Sequence, residues 1–169
     1  MEQSNIFLIG FMGSGKTTVA AHLGKMFHME IAEMDQIIEQ RQHMSISDIF
    51  SVHGEAYFRN LETELLIEMQ SKKGIIISCG GGTPMRENNV VEMKKSGKIV
   101  LLKASPKTIY DRIKDNHDRP LLEQNKNVPF IAELMEQRRE KYEKAADIII
   151  ETDGKDISQI CEEIQTKLK

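Results

Sequence analysis

Between Ile6 and Thr18 the chain reads IFLIGFMGSGKTT: four apolar residues, a stretch with three glycines, then a lysine and two hydroxyls. Gly10 to Thr17 fit the pattern G-x-x-x-x-G-K-[ST], which carries meaning only if a strand enters it and a helix leaves it. Both are supplied. Ile6 to Ile9 is an apolar run of the buried-strand type, and Val19, Leu23, Met26 and Phe27 mark one face of a following helix. Glycines here let successive backbone N–H groups turn inward around phosphate oxygens, and the helix N-terminus adds its partial positive charge. Gly13, Ser14, Gly15 and Thr18 are therefore expected around a nucleoside triphosphate, with Lys16 at the outer phosphates and the Thr17 hydroxyl on Mg²⁺. A bare turn before a solvated helix start would not need four fixed residue types at set spacing. ATP is the expected nucleotide.

The remainder of the chain alternates in the same way. Gly74 to Ser78, Ile99 to Leu102 and Ile148 to Ile150 are branched runs with little polar alternation, as in strands covered on both faces, and a weaker strand around Ile31 to Met34 leads into Asp35. Leu61, Leu65, Leu66 and Met69 mark a second helix face, and Ile157, Ile160, Cys161, Ile164 and Leu168 a C-terminal one. Alternating strands and helices imply a parallel sheet with helices on both sides and ligands at the carboxyl ends of the strands. With 169 residues, 40% of them hydrophobic, the chain can bury one sizeable core, so a single domain over residues 1–169 is expected. Asn116 to Asn127, NHDRPLLEQNKN, follows neither period, and a loop this long is either a lid or a tolerated surface insertion.

Charge and composition narrow the partners. A net charge of −3 argues against a nucleic-acid or membrane-surface binder, and 5% aromatic residues supply few stacking platforms. Cys79 and Cys161 have no close partner of the metal-site or redox type, so both read as buried thiols of a reducing compartment. No apolar run reaches the length of a membrane span, and a cytoplasmic protein, acting as a monomer, is expected.

A held triphosphate is spent either on water or on an acceptor. Guanine reading would call for Asn-Lys-x-Asp, and Asn125-Lys126-Asn127-Val128 lacks the aspartate. A small-metabolite kinase needs only an acceptor pocket, a metal and a lid. Candidates for that pocket stand at strand ends and on the next helices: Asp35, Arg59, Gly80-Gly81-Gly82 and Arg138.

These pieces have an order. Gly10 to Thr17, Met34-Asp35-Gln-Ile-Ile-Glu39, Ile46-Ser-Asp-Ile-Phe50, Gly54-Glu55 with Phe58-Arg59, Gly80 to Gly82, Arg119-Pro-Leu-Leu122 and Arg138-Arg-Glu-Lys-Tyr142 stand as in the shikimate kinases, which the chain resembles over nearly its whole length. The resemblance implies transfer of the γ-phosphoryl group of ATP to the 3-hydroxyl of shikimate, with Mg²⁺, on the route to chorismate and the aromatic amino acids. It implies a three-layer α/β fold of the P-loop, nucleoside-monophosphate-kinase-like type, with a five-stranded parallel sheet. A substrate-binding region at about 33–62 and a mobile lid at about 114–127 come with it. Shikimate carries one carboxylate and three hydroxyls, so fork-shaped donors suit the acid, and Arg59 and Arg138 look like its clamp. Asp35 looks like the partner of the attacking hydroxyl, Gly80 to Gly82 like a close backbone approach to the ring, and lid Arg119 like a third cation, with Lys16 and Mg²⁺, on the charge that spreads over the γ-oxygens. Arg112 matches a position that stacks on adenine.

Plainer readings stand beside each role. Asp35 could cap a helix, Arg59 could pair with Glu55 or Glu62 at helical spacing, and Arg119 and Arg112 could be surface charges. Arg139 competes with Arg138 for the substrate. The family shows Asp-x-Asp where this chain has Glu33-Met34-Asp35, so Glu33 takes the place of the aspartate that helps hold the metal's waters, and Ser78 matches a second position near the metal. Mg²⁺ keeps several waters, so an outer-shell carboxylate tolerates an added methylene. Kinases of gluconate or of nucleoside monophosphates would share the phosphate loop but not the set Arg59, Gly80 to Gly82 and Arg138. A nucleotide-binding module without transfer would need only the loop.

Overall fold

The computed structural model describes residues 4–114 and 127–169. Five strands, β1 (Asn5–Ile9), β2 (Glu30–Glu33), β3 (Ile75–Ser78), β4 (Gly97–Lys103) and β5 (Ile148–Glu151), form one parallel sheet in the order β2-β3-β1-β4-β5. The helices are α1 (Lys16–Phe27), α2 (Met34–Gln42), α3 (Ile46–His53), α4 (Glu55–Met69), α5 (Glu87–Ser96), α6 (Pro106–Ile113), α7 (Val128–Ala145) and α8 (Ile157–Leu168).

Period-two alternation splits the core into two layers. Phe7, Ile9, Ile75, Ile77, Ile99 and Leu101 face a cluster built with Phe58, Leu65 and Leu66 of α4, Met93 of α5 and Ile131 of α7. Ile6, Leu8, Ile76, Val100 and Leu102 face the other, built with Val19 and Leu23 of α1 and Ile160, Cys161 and Ile164 of α8. This is the three-layer α/β arrangement expected of the pattern. Both cysteines are free and buried.

Two details differ from the sequence expectation. The second strand ends at Glu33, so Asp35 lies in the first turn of α2 rather than at the strand end. That strand read weakly because it is an edge, with Glu30 and Ile31 exposed. The run Ile148 to Ile150 is also an edge strand, covered at Ile150 but not at Ile149. Among the described residues no helix is long and apolar enough to cross a membrane.

At the amino ends of the strands Asn5 ties the layers together. Its Nδ2 donates to the Lys72 carbonyl at 2.9 Å, and its Oδ1 accepts from the Ile75 amide at 3.1 Å. The carboxyl ends, opposite, are left for the site.

Candidate active site

A cavity of about 480 Å³ opens at the carboxyl ends of β1, β2 and β3. Gly13, Gly15, Lys16, Thr17 and Thr18 form one wall, where the chain leaves β1 and enters α1. Gly15 can stand before that helix because it adopts a φ of 99°, a left-handed conformation that side chains resist. The Lys16 ammonium is held over the loop by the carbonyls of Gly10 and Phe11, at 2.6 and 3.2 Å. Arg112, near the end of α6, reaches back to donate to the Gly13 carbonyl at 2.9 Å and lines the same space. The loop therefore presents backbone donors and two cations to one volume, which suits a polyphosphate.

The facing wall comes from β2, β3 and α2. Glu33 and Ser78 are register partners on adjacent strands, and both line the cavity with Thr17 and Asp35. A carboxylate and two hydroxyls meeting a phosphate site are hard oxygen donors of the kind Mg²⁺ takes, with phosphate and water completing its shell. Cys79 lies among them, but burial pushes its thiol well above the ordinary cysteine range, so it stays protonated. Glu39, Ser45 and Ile46 close the far side, where the Glu39 carboxylate accepts from the Ile46 amide at 3.0 Å.

Behind Gly80 and Gly81, which line the cavity, stands a layer that does not. Arg59 donates from Nη1 to Glu62 at 2.7 Å and from Nη2 to Glu55 at 3.2 Å, so both pairings suggested by helical spacing are made at once. Glu62 is fully buried, and its second oxygen accepts from Thr83 Oγ1 at 2.6 Å. Burial pushes the Glu62 carboxyl up, against the pull of the Arg59 guanidinium. A Cβ on Gly82 would fall 2.5 Å from that guanidinium, so this glycine leaves room for Arg59. A Cβ on Gly80 would fall 2.8 Å from Glu62 Oε2 and 3.0 Å from Asp35 Oδ1, which shows how closely the two carboxylates flank the loop.

Arg138 and its neighbour separate cleanly. Arg138 is 8% exposed, its guanidinium 5.8 Å from the Phe11 ring, and its Nη1 has no hydrogen-bond partner among the described residues. Arg139 points the other way, paired with Glu136 and Glu143 on the surface. Four residues on from Arg138, one helical turn, the Tyr142 hydroxyl donates to the Gly81 carbonyl at 2.5 Å. Ser14 is buried against Gly10 and does not line the cavity. Arg119 and most of the expected lid lie outside the described residues.

Sequence reasoning did not single out Thr83, Phe11 or Tyr142 as parts of the site, and treated Glu62 only as a surface partner for Arg59. The signal for Tyr142 was its helical spacing from Arg138. None existed for Thr83, which meets Glu62 through a turn across 21 residues.

Known proteins share this layout. The shikimate kinase family profile matches residues 12–169. A shikimate kinase from Sulfurihydrogenibium sp. (strain YO3AOP1) is 44% identical over 165 residues, 98% of each chain. The solved structure of shikimate kinase from Acinetobacter baumannii in complex with shikimate superposes with a TM-score of 0.93 at 31% identity, covering 98% of this chain and 93% of that one. A gluconokinase from Sinorhizobium meliloti reaches a TM-score of 0.60 at 15% identity, with 98% and 91% covered, a likeness of fold alone. With the match running from the phosphate loop to the last helix, the chain belongs to the shikimate kinase family.

Proposed function

We propose that this chain transfers the γ-phosphoryl group of ATP to the 3-hydroxyl of shikimate, giving shikimate 3-phosphate and ADP. The observation that carries the acceptor is Arg138: a buried guanidinium with an open Nη1, set beside Gly81 at the edge of a cavity that also holds a phosphate loop. A buried charge with an unmade hydrogen bond is costly, and the carboxylate of a small hydroxy acid would satisfy it. The complex of the Acinetobacter relative with shikimate supports the same acceptor.

The remaining residues take roles that fit their places. Gly13 to Thr18 hold the triphosphate, with Arg112 above the loop at the nucleotide. Thr17 would hold Mg²⁺, with Glu33 and Ser78 acting through its waters, and the ion would supply charge neutralisation at the phosphate oxygens. Asp35 orients the attacking hydroxyl and takes its proton as the bond to phosphorus forms. Arg59, steadied by Glu62 and Glu55, supplies the second arm of the carboxylate clamp, while Lys16 and Arg119 stabilise charge on the transferred group. Two buried free thiols fit a cytoplasmic enzyme.

The test is ADP release with shikimate, gluconate and AMP as acceptors in parallel. Turnover with shikimate far above the other two is expected. Equal turnover on all three would overturn the assignment, and tight ATP binding without turnover on any would favour a module that binds and does not transfer.

A further inference from the structure

A second cavity, of about 290 Å³, lies between the end of β4, the start of α6 and the face of α7, and shares no lining residue with the first. Its floor is apolar and deeply buried: Phe11, Leu101 and Tyr142 are each no more than 5% exposed. Its mouth is charged and wet. Lys103 Nζ stands 3.0 Å from Glu143, while Arg139 stands 3.1 Å from Glu136 and 3.3 Å from Glu143, a rim of two cations and two anions.

We propose that this cavity binds a small zwitterion with an apolar body, an α-amino acid with a large aliphatic or aromatic side chain, and that its occupancy is felt at the shikimate subsite. The floor takes the side chain out of water. The rim decides the head group by charge complementarity. A simple anion would meet Glu136 and Glu143 as well as the cations, and a simple cation would meet Lys103 and Arg139 as well as the anions. A carboxylate and an ammonium on one carbon match a rim that carries both signs a few ångströms apart. Two residues join this cavity to the acceptor subsite. The Phe11 ring lies under the Arg138 guanidinium at 5.8 Å, and Tyr142 holds the Gly81 carbonyl at 2.5 Å. A ligand resting on those rings shifts Arg138 and Gly81, which hold the acid.

The experiment uses the full chain with ¹³C-methyl methionine, titrated with L-phenylalanine, 3-phenylpropionate and glycine, and followed at the Met135 methyl in the cavity wall. A saturable shift with L-phenylalanine is expected, in the millimolar range usual for a ligand of about a dozen non-hydrogen atoms. Weaker responses are expected to the acid without an ammonium and to the zwitterion without an apolar body. Glu136→Gln, at an exposed rim position, should weaken L-phenylalanine several-fold without weakening 3-phenylpropionate. No saturable shift overturns the site; equal affinities for L-phenylalanine and 3-phenylpropionate, indifferent to Glu136→Gln, overturn the zwitterion. The kinetic arm rests on the shikimate kinase reading: L-phenylalanine should raise KM for shikimate several-fold, and an unchanged KM for shikimate overturns the coupling. A saturable shift in a protein that turns over no acceptor would count against the kinase reading and for the cavity.

Discussion

Asp35 and Tyr142 stand on the side of the cavity proposed for the acceptor, in different ways. Asp35 lines the space itself, one of its oxygens beside Gly80. If it orients the hydroxyl and takes its proton, Asp35→Asn should lower kcat by about 10²–10⁴. ATP affinity, measured by calorimetry, should stay as it was, and a near-normal kcat would remove the role. Tyr142 works from behind, through the Gly81 carbonyl. Burial pushes its phenol above the ordinary value near 10, against the opposing pull of Arg138. The sign follows from linkage: the unfolded phenol ionises first, so the stability held by the neutral folded form is complete below about pH 10 and is lost as pH rises through the raised folded value. Tyr142→Phe should therefore cost about 0.5–1.5 kcal/mol in urea unfolding at neutral pH, the worth of one buried hydrogen bond. It should also lose less stability than the parent chain as pH rises above about 10, and identical alkaline profiles would show that the phenol ionises alike in the folded and unfolded states.

Elements in this fold begin and end on chemistry that can be read locally, with two exceptions worth testing. Ser45, Ser105, Asn127 and Asp156 each accept a hydrogen bond from the third residue of the helix they start, as N-caps do. At the other ends of α1 and α2, His28 and His43 take left-handed conformations, both with φ of 56°, where glycine is the usual residue. Relief of that strain outweighs the added entropy of an unfolded glycine, so His28→Gly should stabilise the chain by about 0.5–1 kcal/mol. That corresponds to a rise in Tm of about 1–4 °C for a domain of this size. Because His28 is exposed and far from the cavity lining, turnover should not change. A lower Tm would mean that the imidazole makes a contact worth more than the strain. The α2–α4 segment shows why helix identity alone says little about function: its acidic residues look alike in sequence. Yet Asp35 lines the cavity, Glu55 lies on the surface and Glu62 is sealed under Gly80.

For the whole molecule, the two walls of the cavity come from segments far apart in the chain, and a bound nucleotide with its ion would bridge them. Thermal unfolding should report this: ATP with Mg²⁺ at about a hundredfold excess over Kd should add about 2.7 kcal/mol to stability. Chelation of the metal should remove much of that shift and abolish turnover, whereas Glu33→Asp should preserve both. A shift indifferent to chelation would place the metal outside the nucleotide site. Much of this was legible in residues read one after another. The glycines of Gly10 to Thr17, the apolar runs and the helix faces encode local geometry, because φ freedom, side-chain alternation and the 3.6-residue turn act over a few neighbours. They were enough for the α/β class, the phosphate loop and the resemblance to shikimate kinases. The sequence could not place Glu62 in the dark beneath Gly80, separate Arg138 from Arg139, give Gly82 to Arg59, or put a second cavity behind Phe11 and Tyr142. Those depend on which segments the sheet order β2-β3-β1-β4-β5 brings side by side and on which water is thereby excluded, and burial is a property of the packed whole that no stretch of the chain carries alone.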